Sequence, residues 1–374
     1  MRIGILTLPL HTNYGGILQA YALCKVLGAS NHDVELLYLV YPFKPTLWKL
    51  VKRGIQYLEG RNVDWFYEYN YPKKMAPSTL YTSMFVSKHI PHTKPIRSKS
   101  ELRKTASEYD VIIVGSDQVW RPLYAQYIDI FFCSFLPKGS RIKRIAYAVS
   151  FGTDIPEYTP YYRKLCGKLI KEFQAVSVRE SSGIELIKQY DWNCHPIQVL
   201  DPTLLLRKED YIKLTPFANI AGVDSSACLF YYMLDMDDEK QSLIREIELN
   251  TGMSSFTVFE KEYSYYDSEI LPQKPVEDWL GAFIKAKMIV TDSFHGCVFS
   301  IIFNKPFVVI TNATRGRARF QSLLNLFGLE ERLLLKYEKG QTIQIVNKPI
   351  NWEIVNKKRA ELITKSLSFL YSNL

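Results

Sequence analysis

The sequence predicts an α/β fold of two successive units, and three observations carry that reading. Short Val- and Ile-rich runs end in small or polar residues and pass into amphipathic stretches, which is how a buried parallel strand feeding a helix is written. The same alternation begins again beyond residue 210. A chain of 374 residues, 47% of them hydrophobic, has enough apolar material for two ordinary cores.

The first unit is expected over residues 1–210, with strands at 3–8, 34–39, 111–114, 144–149 and 175–178 and helices on both faces of one sheet. Residues 44–104 break this rhythm. They begin with a helical pattern at 44–58 and continue from Tyr57 as a stretch dense in Tyr, Lys and Pro, so they read as a helical and loop insertion. The phrase LDPTLLL at 200–206 places a proline before a charged stretch, which marks the boundary. The second unit, 211–374, repeats the pattern with strands at 228–234, 253–258, 287–290 and 306–310 and helices at 238–248 and 275–286. Ligands in such sheets bind outside the carboxyl ends of the strands, so the residues just after each strand are the candidates for function.

Composition removes several function classes. The six cysteines are scattered with no CxxC pair, which argues against a disulfide framework or a Cys-rich zinc site and suits a reducing cytoplasm. No His, Asp or Glu cluster has metal-ligand spacing. The opening MRIGILTLPL is followed by His11, Thr12 and Asn13 where a leader's small-residue cleavage site should lie, so it reads as a buried strand. No apolar stretch approaches the roughly 18–20 residues a spanning helix requires. A net charge of +9 favours anionic partners, and without zinc-finger spacing, an RNP-like strand or a basic tail those are phosphorylated small molecules rather than nucleic acid. Residues 44–58 place Leu47, Trp48, Val51, Ile55 and Leu58 near one helical face and Lys49, Lys52 and Arg53 elsewhere. That pattern suits either a helix packed on its own domain or a peripheral contact with the inner membrane face.

Four strand ends carry the chemistry. In NYGGILQAYAL, residues 13–23, Asn13, Tyr14, Gly15, Gly16 and Gln19 form a turn into a helix whose N–H groups can meet an anion or a sugar oxygen. It is neither a G-x-G-x-x-G fingerprint nor a Walker loop, so no nucleotide cofactor is indicated. In DVIIVGSDQVW, residues 110–120, a buried strand delivers Ser116 and Asp117; the carboxylate either engages a sugar hydroxyl, as ligand or base, or caps the next helix. In AVSVRE, residues 175–180, Arg179 offers a planar fork to a carboxylate or phosphate, or else pairs with Glu180 or Asp201. In IVTDSFHG, residues 289–296, Ser293 and His295 stand where a strand turns sharply into a helix, a place where an imidazole can face a cleft and move a proton. Beyond the following strand, TRGRARF brings Arg315, Arg317 and Arg319, of which Arg315 is the favoured phosphate contact.

These phrases, together with YAVSFG at 147–152 and LDPTLL at 200–205, resemble in their order the polysaccharide pyruvyltransferase family, from the first strand to about Phe320. The resemblance implies two Rossmann-like domains in a GT-B-like arrangement around a cleft, phosphoenolpyruvate as co-substrate, no other cofactor, and a glycan acceptor that can be lipid-linked. It implies that His295 is the catalytic acid/base, to which the strand-end reading adds Asp117 as a second catalytic candidate. It implies that Arg179 and Arg315 hold the donor; from their positions at strand ends, Ser293 is expected with them and Asn13, Tyr14, Gly15, Gly16, Gln19 and Ser116 at the acceptor or an anion. Members often carry RLHG where this chain has SFHG, and lysine where it has Arg315. A nucleotide-sugar glycosyltransferase and a non-catalytic glycan-binding or sensor module are the rival expectations. Saturable binding of a nucleotide sugar without phosphoenolpyruvate would mark the first, and loss of His295 would have marked the second.

Overall fold

The computed structural model describes residues 1–374 except 44, 46, 62, 217, 219–226, 260 and 312–315, and except the side chains of residues 47, 48 and 227. Its first sheet contains β1 (Arg2–Leu6), β2 (Asp33–Leu36), β3 (Val111–Gly115), β4 (Lys143–Val149), β5 (Ala175–Val178) and β6 (Ile197–Gln198), ordered β2-β1-β3-β4-β5-β6. Every pairing is parallel. The second sheet contains β7 (Ala227–Tyr232), β8 (Ser254–Phe256), β9 (Met288–Thr291), β10 (Phe307–Ile310) and β11 (Leu333–Leu334), also parallel and ordered β11-β10-β9-β7-β8. The central strands are mostly apolar because helices cover both faces; all five residues of β3 are buried.

Both sheets reverse direction once, between β1 and β3 in the first and between β7 and β9 in the second. A crevice opens at the carboxyl end of the strands wherever the winding reverses. Here the two crevices face each other, because residues following β1, β3, β7 and β9 line one common cleft. Two Rossmann-like units thus meet around a cleft, as expected.

The insertion is mainly helical. After helix α1 (Tyr14–Gly28) and β2 come α2 (Leu47–Leu58), α3 (Tyr67–Met75) and α4 (Leu80–His89). The units are joined by packing as well as by chain. Tyr14 of α1 is fully buried, stacks on Trp279 at 5.4 Å between ring centres, and donates its hydroxyl to the Lys274 carbonyl at 2.7 Å. The long final helix, Trp352–Ser372, follows the second sheet in sequence but in space lies on the first unit. There Ser366 Oγ accepts from Leu200 N at 3.0 Å, Arg359 Nε donates to the Leu204 carbonyl at 3.1 Å, and Tyr371 donates to the Val26 carbonyl at 3.2 Å.

Candidate functional site

The cleft encloses about 180 Å³ and is bordered by Asn13, Gly15 and Asp117 from the first unit and by Ser293, His295 and Arg319 from the second. Two helices start at its wall. Asn13 caps α1 by accepting from Gly16 N at 3.2 Å, and its Nδ2 donates to Asp117 Oδ2 at 3.2 Å, so one side chain fixes both the helix start and the carboxylate. Ser293 caps the helix Phe294–Ile302 by accepting from Gly296 N at 3.4 Å. The positive ends of both helix dipoles therefore meet in the cleft, which favours an anion.

Asp117 follows β3 with φ of 61°, a left-handed backbone that Asp adopts more readily than most residues. Its carbonyl is held by Ser150 N at 3.0 Å. The side chain is thereby presented at the strand end and not turned along the next helix.

His295 is the link between the units. Its ring lies directly on the backbone of Gly15: a Cβ there would come within 1.9 Å of Nδ1 and 2.2 Å of Cγ. Only glycine leaves room for the imidazole. Its Nε2 stands 3.6 Å from Asp201 Oδ2 and, among the described residues, has no hydrogen-bond partner at bonding distance.

Asp201, just beyond β6, is a hub. Its Oδ1 accepts from the Thr203 backbone N–H at 3.0 Å and hydroxyl at 2.6 Å, while Oδ2 accepts from Gln19 at 2.5 Å and Arg179 Nη1 at 3.1 Å. Burial alone would raise its carboxyl, but His295, Arg179 and Thr203 together hold it below the usual carboxylate range. A carboxyl depressed on folding contributes stability above its unfolded pKa of about 4 and loses it as pH falls toward the folded value. Asp201→Asn should therefore lower the thermal midpoint at neutral pH, because Arg179 loses a buried partner at a cost of about 3–5 kcal/mol, and flatten the fall in stability below about pH 4. Thermal denaturation across pH measures both; an acid limb unchanged in the variant would remove Asp201 as its source.

The structure brings Asn13, Gly15, Asp117, Ser293 and His295 to the cleft wall. Gln19 and Ser116 lie behind it, where Gln19 Nε2 donates to Ser116 Oγ at 3.0 Å and Ser116 donates to the Ala148 carbonyl at 3.0 Å. Gly16 sits in the α1 cap, and Tyr14 is turned toward Trp279 between the units. Arg179 is buried and paired with Asp201 and, at 3.5 Å, with Glu180, which is the structural alternative its sequence context left open. Its Nη2 has no hydrogen-bond partner among the described residues. Arg315 lies outside the described residues.

Arg319 and Asp201 are the residues that the motif reading under-weighted. Arg319 borders the cleft, and its guanidinium sits 5.6 Å from the centre of the Phe294 ring, over which Arg179 also lies at 4.3 Å. Burial, then the positive charge of Arg179, lower its pKa to about 10, so it stays a cation at neutral pH. Two cations crowded at a buried wall are stabilised by an anion in front of them. Among the described residues no three His, Cys, Asp or Glu side chains gather closely enough to hold a metal ion.

Two parallel sheets with opposed switch points, and a histidine seated between them, define a GT-B-type fold. The chain resembles the solved structure of Anabaena Alr3699/HepE in complex with UDP and glucose, with a TM-score of 0.54 and 11% identity over 100% of both chains. It also resembles UDP-GlcNAc 2-epimerases from Methanocaldococcus jannaschii (TM-score 0.51, 12% identity, 99% of this chain and 100% of that one) and from Neisseria meningitidis, the latter bound to UDP-GlcNAc (0.50, 10%, 98% and 99%). At such identities the likeness is one of fold. Curated protein sequences gave no match. The chain belongs to the polysaccharide pyruvyl transferase family, whose model matches residues 13–314, most of its length.

Proposed function

We propose that the protein transfers the three-carbon unit of phosphoenolpyruvate to two hydroxyls of one sugar in a cell-surface polysaccharide or its lipid-linked precursor, forming a cyclic ketal and releasing phosphate. The supporting observation is the seat of His295: an imidazole on Gly15, beside Asp201, in a cleft where two helix N-termini and Arg319 favour an anion.

In this reading His295, as its imidazolium, protonates the methylene carbon of the donor, and the C2 centre becomes oxocarbenium-like. A sugar hydroxyl adds to C2 and gives up its proton; the C2–O bond to phosphate breaks; the second hydroxyl adds and loses its own proton. Of the two hydroxyl protons, one replaces that delivered to the methyl group and the other leaves with phosphate. Asp117 accepts a hydroxyl proton, while Arg319, with Arg179 behind Phe294, balances the donor's carboxylate and phosphate.

Phosphate release from phosphoenolpyruvate by purified protein, with and without a panel of lipid-linked and aryl glycosides, tests the reaction when the sugars are then weighed by mass spectrometry. Acceptor-dependent release with a gain of one pyruvate ketal is expected. Binding of a nucleotide sugar with no binding of phosphoenolpyruvate would overturn the donor assignment. Arg319→Met, which keeps bulk and removes charge, should raise the phosphoenolpyruvate concentration for half-maximal rate by about 10- to 100-fold, the size of one lost charge-assisted hydrogen bond. Unchanged donor dependence would exclude Arg319 from the donor site.

A further inference from the structure

Helix α2 is amphipathic with its sides reversed. A helix packed on its own domain turns its apolar stripe inward. Among the described side chains of α2 the one driven inward is Arg53, 8% exposed, whose Nη1 and Nη2 each bond a carboxylate oxygen of Glu68 on α3 at 2.8 Å. Lys49 reaches the same carboxylate at 2.8 Å. The apolar side faces out: Val51 is 46%, Ile55 50% and Leu58 86% exposed. In the turn between α2 and α3, Trp65 and Phe66 are exposed as well, as is Tyr69 on α3, and Tyr57 meets Trp65 at 6.0 Å.

We propose that this face docks on an anionic lipid bilayer. Its charge chooses among occupants. All three charges within α2 are positive, and residues 44–74 carry seven basic against three acidic side chains, with Glu68 already taken up by Arg53 and Lys49. Lys52, Lys73 and Lys74 are exposed on the same hairpin, as is Arg61, which pairs with Glu59 at 3.2 Å. A second copy of the chain would bring the same cations opposite these, whereas anionic headgroups supply the complement. Outward Val, Ile and Leu, flanked by Trp, Tyr and Lys, also make the composition of a helix lying in the headgroup region with its apolar face sunk about 5–10 Å.

The same hairpin packs on two segments that lead to the cleft. Pro72 and Met75 of α3 share a small cavity with Leu10 and His11, on the segment that runs from β1 to Asn13. Tyr67 and Tyr71 pack on Tyr265 of the second unit at 5.2 and 5.7 Å, in the segment that also carries Glu262 to the cleft wall. Docking therefore holds the cleft near the headgroups, where a lipid-linked sugar would present itself. That last step rests on the proposed reaction; the docking does not.

The test is sedimentation of the full chain with vesicles of phosphatidylcholine alone or mixed with phosphatidylglycerol, beside turnover on a water-soluble aryl glycoside. Binding to the mixed vesicles only, weakened by high salt, is expected. Val51→Ser with Ile55→Ser and Leu58→Ser should reduce that binding by at least about tenfold and leave aryl-glycoside turnover unchanged. Lys52→Glu, which spares the apolar face, should weaken it too. Equal sedimentation with both vesicles, or with neither, overturns the proposal. So does a lipid-free dimer abolished by the triple substitution, which would assign the face to a second copy, or a loss of aryl-glycoside turnover, which would make the hairpin a support of the cleft. Failure of the chemistry with docking intact would count against the reaction alone.

Discussion

His295→Ala is expected to lower turnover by about 10² to 10⁴, the range for loss of a positioned proton donor, with the fold intact. Among the described residues its ion-pair partner is Asp201, at 3.6 Å and beyond hydrogen-bonding distance, so losing the ring should cost part of the acid-dependent stability of Asp201 and leave the fold in place. Its burial and its seat on Gly15 instead restrict the ring to one orientation, which is what proton transfer to a bound carbon requires. Steady-state rates and a thermal melt of the same preparation separate the two effects. A decrease of less than about threefold would exclude His295 from the chemical steps.

The second large effect should come from a single methyl group on the other unit. Gly15→Ala places a carbon 1.9 Å from His295 Nδ1, far inside any real contact, and the near atoms are the rigid ring itself, so the imidazole must leave its seat. Within α1 the change is benign, since alanine favours a helix over glycine by up to about 1 kcal/mol. Turnover should thus fall by a factor comparable to that of His295→Ala, about 10² or more, with a stability loss of about 1–3 kcal/mol from displacing the buried ring, partly offset by the helix preference of alanine. The double variant Gly15→Ala/His295→Ala should be no slower than either single one, because both remove the same seated ring. Additive losses would mean that Gly15 serves the cleft in some other way.

The sheets were legible because a parallel strand covered on both faces must be an apolar run; β3 reads as VIIVG with no polar interruption. The two-residue edge strands β6 and β11 carry no period and were invisible, as was the attachment of the final helix, which depends on carbonyls of the Leu204–Leu206 turn. At the site, NYGG and SFHG could be placed at strand ends from local pattern. That Gly15 is small to admit the ring of His295 could not, because nothing in either phrase refers to the other. Asp201 was visible as a partner for Arg179 but not as a neighbour of Gln19 and His295. Of the two described arginines of TRGRARF, which one borders the cleft depends on where the helix beginning at Arg317 starts to turn, and this brings Arg319 there. The reversed face of α2 was likewise unreadable until Glu68 was seen to draw Arg53 inward.

The return of Trp352–Ser372 to the first unit has a consequence for how the protein is made. Domains of most chains can fold in the order in which they emerge from the ribosome. Here Leu200 N, the Leu204 and Leu206 carbonyls and the end of α1 wait for Arg359, Ser366 and Tyr371, which are synthesised after the whole second sheet. The unit begun first is closed last, so a ribosome stalled after β11 would carry a completed second sheet beside a first unit still lacking one wall.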